Sequence, residues 1–142
     1  MLVDANLLLY AVDRSSPFHD PARTWWQDAL TGVVRVALPW PTLLAFVRIS
    51  THPRASARPL TTAQAWDYVC AWLARPVAWI PSETERHADV LGDLLGRYQI
   101  RGNLVTDAHL VALAICHGLA IASADTDFAR FSEVRWHNPV AP

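Results

Sequence analysis

What most restricts this chain is an alternation. Apolar runs too short for a helix are followed by longer segments whose apolar residues recur at i, i+3 and i+4. The short runs are Met1–Val3, Val33–Leu38, Val77–Ile80, Leu119–Ser123 and Val134–His137. Between them lie helical stripes such as Ala22, Trp25, Trp26, Ala29 and Leu30, or Ala65, Trp66, Val69, Trp72 and Leu73. Strands this apolar are buried on both faces, and a strand that returns through a helix lies parallel to its predecessor. The pattern predicts an α/β domain around a mostly parallel, buried sheet.

Local signals set the expected boundaries. A helix is predicted over Asn6–Val12, and Asp20-Pro21 opens a second that stops at Gly32. Pro39 and Pro41 close the second strand ahead of a helix over Thr42–Thr51, and the stretch from Pro53 to Pro59 reads as loop. Thr61-Thr62 caps a helix running through Ala74, and Glu83–Tyr98 reads as another, with Glu83 and Glu85 serving its start. Leu104–His117 is apolar almost all round and ends at Gly118, the usual C-terminal glycine position; Asp125–Phe131 reads as a short helix.

A chain of 142 residues fits one domain, here residues 1–142. The hydrophobic fraction of 52% against 18% charged excludes a disordered tail protein and suggests that a partner covers some apolar surface. Seven tryptophans point the same way. The net charge of −1 supplies no global basic field, so nucleic-acid binding would need a local patch. Cys70 and Cys116 sit in apolar helical patterns and match no metal spacing, which reads as buried, reduced thiols. Asp4 interrupts the first apolar stretch, no basic region precedes it, and no run approaches a membrane span. A cytoplasmic protein that enters no membrane is expected.

Three acids carry the chemistry. Asp4 follows the first strand directly, Asp125 follows Leu119–Ser123, and Asp107 lies in the first turn of an otherwise apolar helix. Each alone has an ordinary role as an N-cap or a partner of a helix dipole. Together they differ, because the strand ends of a parallel sheet converge on the edge where ligands bind. Carboxylates gathered there repel by about 3 kcal/mol per pair at ~5 Å and an effective dielectric near 20. The chain contains no lysine, and no arginine is adjacent to these acids in sequence. A divalent cation is the natural partner; all-carboxylate ligation suits Mg²⁺ or Mn²⁺ rather than Zn²⁺. Such ions activate water and stabilise charge on a phosphodiester.

The residues around these acids resemble those of PIN domains. Val3-Asp4-Ala5-Asn6-Leu7-Leu8 is similar to the first motif of that family. Gly102-Asn103-Leu104-Val105-Thr106-Asp107-Ala108-His109-Leu110 and Ser123-Ala124-Asp125-Thr126-Asp127-Phe128 are similar to the third and fourth. Phe46-Val47-Arg48-Ile49-Ser50-Thr51-His52-Pro53-Arg54 and the closing Asn138-Pro139 resemble one branch of VapC-type toxins of toxin–antitoxin systems. The resemblance runs nearly end to end. It implies a three-layer α/β/α fold, metal-dependent cleavage of tRNA or ribosomal RNA, homodimerisation, and inhibition by a cognate antitoxin. It makes Asp4, Asp107 and Asp125 the metal-binding, catalytic acids, with Asn6, Ser123 and Asp127 orienting them or holding water. One departure stands out: where the family carries a glutamate in the helix after the second strand, this chain has Ala45. That favours one metal ion over two.

Arg48, Arg54 and Arg58 with His52 form the densest cationic stretch, either a phosphate-holding element or a solvated helix end and loop. His109, two residues from Asp107, falls on a different helix face, and His117 suits the C-terminal end of its helix dipole. Trp25, Trp26, Trp66 and Trp72 read as core or interface, whereas Trp40, between two prolines at a strand end, is the candidate for stacking on RNA. Two rival readings remain. A phosphohydrolase with Asp4 as nucleophile would want an acid at Asn6 and a lysine, and has neither. A catalytically weakened PIN-like domain that binds RNA or protein is favoured by Ala45 and opposed by the three retained acids.

Overall fold

In the computed structural model, which describes residues 1–142, the alternation resolves into five short strands. They are β1 (Leu2–Val3), β2 (Val36–Ala37), β3 (Ala78–Trp79), β4 (Ile121–Ala122) and β5 (Trp136–His137). All pair in parallel, in the order β3-β2-β1-β4-β5. The chain first builds outward from β1 through β2 and β3, then returns to add β4 on the other side. The switch point therefore falls between β1 and β4, where such sheets open a crevice at their carboxyl ends.

Six helices cover the two faces: α1 (Ala5–Val12), α2 (His19–Thr31), α3 (Trp40–Ser50), α4 (Thr62–Leu73), α5 (His87–Arg97) and α6 (Leu104–His117). The pleat assigns the sides. Val3, Val36, Leu38 and Ala122 face α1 to α4 and form one buried core with Leu7, Leu8, Trp26, Leu43, Phe46, Val69 and Trp72. Leu2, Ala37 and Ile121 face the other way, packing with Leu94, the apolar side of α6, Phe128 and Phe131. The fold is thus a three-layer α/β/α sandwich with an all-parallel sheet.

Several boundaries move, each for a local reason. The expected strand Val33–Leu38 shrinks to its centre, because Val33 and Val34 stand in solvent (95% and 64% exposed). Helix α2 begins at His19, where Phe18 supplies no side-chain cap; Pro21 sits in the first turn, where no intrahelical N–H is needed. Helix α3 starts early, at Trp40, with Pro41 in its first turn. Thr61 caps α4 as expected, through a reciprocal box: its hydroxyl accepts from the Gln64 N–H at 3.1 Å, and Gln64 Oε1 accepts from the Thr61 N–H at 2.9 Å. Glu83 and Glu85 do not start α5. They lie in an exposed loop whose turn is closed by His87 N–H donating to Thr84 O at 3.0 Å. Residues Asp125–Phe131 form a 3₁₀ turn over Thr126–Arg130 rather than an α-helix. Cys70 is exposed on α4, not buried, and Cys116 is half-buried. Helix α6 ends where expected, with Gly118 in the left-handed region at φ 66°.

Candidate active site

The carboxyl edge of the sheet collects the acids because each follows a strand or opens a helix there. Asp4 ends β1 and caps α1, its Oδ1 accepting the Ala5 N–H at 2.7 Å. Its Oδ2 accepts from Ser123 Oγ at 2.7 Å and from Asn6 Nδ2 at 3.0 Å. Asn6 Nδ2 also lies 3.0 Å from Ser123 Oγ, and its Oδ1 accepts the Ala124 N–H at 3.2 Å. Ser123, fully buried just past β4, accepts the Asp125 N–H at 3.0 Å. This network ties the ends of β1 and β4 together across the switch point. Every member is a group whose burial would be costly without a partner.

Asp125 Oδ1 accepts the Asp127 N–H at 2.8 Å and so caps the 3₁₀ turn. That turn brings Asp125 and Asp127 beside Asp107, from the first turn of α6. One carboxylate oxygen from each of the three lies within 4.8 Å of the others. The tightest triple is therefore Asp107, Asp125 and Asp127. Asp4 adjoins it, near enough for its charge to act on Asp107. The sequence reading gave Asp127 an orienting role; the geometry makes it a full member of the cluster. The Asp125-x-Asp127 spacing puts the two acids close in sequence, but only the turn between them shows that both reach Asp107.

Electrostatics follow the geometry. Burial pushes the Asp107 carboxyl up to about 6, and the charges of Asp4, Asp125 and Asp127 push the same way against the opposing pull of Arg130. Asp4 is also raised, chiefly by burial and least by Asp125, against the hydrogen bonds from Ser123 and Ala5. Arg130 pairs with Asp127 at 3.0 Å, so one arginine distant in sequence from Asp4 and Asp107 does reach the cluster. A single exposed guanidinium leaves several carboxylates uncompensated. Their all-oxygen donor set, crowded within 4.8 Å, fits a hard divalent cation.

Ala45 lies half-buried one turn past Thr42, whose buried hydroxyl donates to Val3 O at 2.9 Å and pins α3 to the end of β1. Helix α3 brings no acid to the edge. Arg48 is in its last turn, and with His52 and Arg54 lines a shallow cleft roughly 12 Å along the helix from Trp40. The fold does not bring Arg48 and Arg54 to the acids. His109 turns its ring to His87 (3.0 Å) and Glu83 (3.5 Å), away from a ligand role. His117 bonds Ser82 O at 2.7 Å. Trp26 and Trp72 are core, whereas Trp66 is exposed and stacked on Trp40, a pairing the sequence spacing did not reveal.

A parallel α/β/α sandwich with acids clustered at the carboxyl edge beside its switch point is the architecture that the resemblance to PIN domains implies. A PIN domain family model matches residues 1–134. The Ribonuclease VapC37 of Mycobacterium tuberculosis is 47% identical over 140 residues, covering 99% of this chain and 97% of that protein. The chain belongs to the PIN domain family, in its VapC branch. Solved structures agree in fold. VapBC2 from Rickettsia felis, bound to a DNA fragment from its promoter, superposes with a TM-score of 0.68 at 16% identity, covering 96% of both chains. VapC20 of Mycobacterium tuberculosis, a toxin that cleaves the sarcin–ricin loop, gives 0.68 at 18% identity, covering 94% of this chain and 98% of that one.

Proposed function

We propose that this protein, as one domain over residues 1–142, is a metal-dependent endoribonuclease and the toxin of a toxin–antitoxin pair. It hydrolyses phosphodiester bonds in structured RNA, tRNA or rRNA, works as a homodimer in the cytoplasm, and is held inactive by a cognate antitoxin. One observation carries the reading: Asp107, Asp125 and Asp127 converge within 4.8 Å beside Asp4, at the open edge of the sheet. Membership of a family whose close relative is named a ribonuclease supports it. Toxin–antitoxin complexes of the same fold support the antitoxin.

Asp4, Asp107 and Asp125 would hold Mg²⁺ or Mn²⁺, with Asp127 completing the donor set. The bound ion supplies positive charge against the phosphate oxygens and lowers the pKa of a water molecule. Ser123 and Asn6 fix the Asp4 carboxylate by donating to it, which keeps its remaining lone pairs aimed at the edge. The N-termini of α1 and α6 open at the same edge and favour a phosphate there. With Ala45 where PIN domains generally carry a glutamate, these acids suit one ion.

The test is incubation of the purified, antitoxin-free protein with total cellular RNA and Mn²⁺ or Mg²⁺, with the cut ends mapped. Discrete cleavage, abolished by EDTA and by Asp4→Asn, is the expected result. A folded protein that binds metal and cuts nothing would leave the second reading, an RNA- or protein-binding PIN domain weakened at Ala45.

A further inference from the structure

Trp40 opens α3 immediately after the strand that neighbours β1. Leu2 pairs with Ala37, so Pro39 lies level with Asp4 on the adjacent strand. With strands about 4.8 Å apart and successive Cα atoms 3.8 Å apart, the Trp40 Cα falls within roughly 9 Å of that of Asp4. Its indole is 43% exposed and lies against the indole of Trp66, itself 44% exposed. The two rings are nearly coplanar in direction, 9° apart, with centroids 6.4 Å apart. The buried pairs Trp26–Trp72 and Phe46–Trp72 meet edge to face, at 84° and 61°.

A parallel, half-exposed pair of indoles close to the proposed phosphodiester site offers a π face to a nucleobase. Bases of single-stranded nucleic acid stack on exposed aromatic faces. The exposed stripe of α3 continues from Trp40 through Leu44 to Arg48, at spacings of four, and the helix carries no acid. An apolar stretch that ends in an uncompensated cation suits a base followed by its phosphate. We propose that Trp40 and Trp66 form a stacking platform for an unpaired base of the RNA flanking the phosphate at the acids, and so help to select the substrate. The inference rests on the ribonuclease reading and deepens it.

The experiment measures binding of a fluorescently labelled single-stranded oligoribonucleotide to the metal-free protein by anisotropy, across a salt series. The proteins are wild type, Trp40→Ala, Trp66→Ala and Trp40→Phe, each checked for folding by circular dichroism and for assembly by sedimentation velocity. Trp40→Ala is expected to weaken binding by about 5- to 150-fold, the range for one stacked base. Trp40→Phe should recover most of the loss. The slope of affinity against salt should not change, since no phosphate contact is removed. Wild-type affinity in both alanine variants would overturn the proposal, as would failure of the wild type to bind the oligonucleotide. If, at unchanged RNA affinity, the alanine variants instead dissociate the homodimer or release the antitoxin, the face is a protein interface and the proposal is wrong. Because binding is read without metal or turnover, a protein that binds through the platform and cuts nothing would refute the ribonuclease reading alone.

Discussion

The two sides of the sheet's switch point differ in the hydrogen bonds they give their carboxylates. At the end of β1, Asp4 receives hydrogen bonds from the Ala5 N–H, Ser123 and Asn6; those from Ala5 and Ser123 oppose the burial that raises its pKa. Across from it, Asp107 has no hydrogen-bond donor among the protein's side chains, and burial and three like charges push its carboxyl up to about 6. Asp125 and Asp127 share a single capping bond and one surface arginine. The first region is finished by the fold; the second is finished only by something positive from outside.

Removing a carboxylate from the unsupported side should have the largest effect. Asp107→Asn should lower RNA cleavage by more than about a hundredfold, beyond the loss usual for groups that only orient a ligand, measured at saturating Mn²⁺. Removing support from the other side should do less to activity and more to the fold. Ser123→Ala leaves Asp4, Asn6 and the Asp125 N–H each short of a partner, and should cost about 1–3 kcal/mol of stability in denaturant titration. The same variant should lower cleavage by roughly ten- to a hundredfold.

Acidity separates the regions next. Asp107 binds its proton more tightly in the folded protein than in the unfolded chain, whose carboxyl titrates near 3.8. Stability in EDTA from this group therefore grows as pH falls through about 6 and is fully present below 3.8. At pH 7.5 the metal-free Asp107→Asn variant should melt above wild type, and the gap should close toward pH 5. His109 opposes this in both proteins, since burial lowers its pKa, so the difference between them isolates Asp107. A gap that is absent at pH 7.5, or constant with pH, would place the cost elsewhere. The smallest expected change is a gain: Ala45→Glu, one turn beyond the anchored Thr42, should tighten Mn²⁺ binding a few-fold by adding a ligand charge.

Much of this was legible in the sequence for a physical reason. Strand, acid and helix follow one another in Val3-Asp4-Ala5 and again around Ser123-Ala124-Asp125, so a parallel sheet brings Asp4 and Asp125 to one edge with little freedom. The apolar wall of α6 fixed both its ends and the place of Asp107. What was not legible depends on geometry that spacing does not encode. Val33 and Val34 carry a strand's composition but lie outside the paired register, in solvent. Asp127 joins the cluster from a 3₁₀ turn capped by Asp125, where a short helix was expected. Trp66 reads as one more residue on an apolar stripe until the crossing of α3 and α4 sets it against Trp40. Glu83 reads as a helix start and is a loop partner of His109.

A metal site on these acids is tested by a calorimetric titration of Mn²⁺ into metal-free protein at pH 6, run in two buffers of different ionisation enthalpy and repeated with Asp107→Asn. Binding to wild type with release of a fraction of a proton, and much weaker binding without proton release in the variant, is the predicted result. No binding to wild type, or the same binding in both proteins, would contradict a metal site built on this cluster.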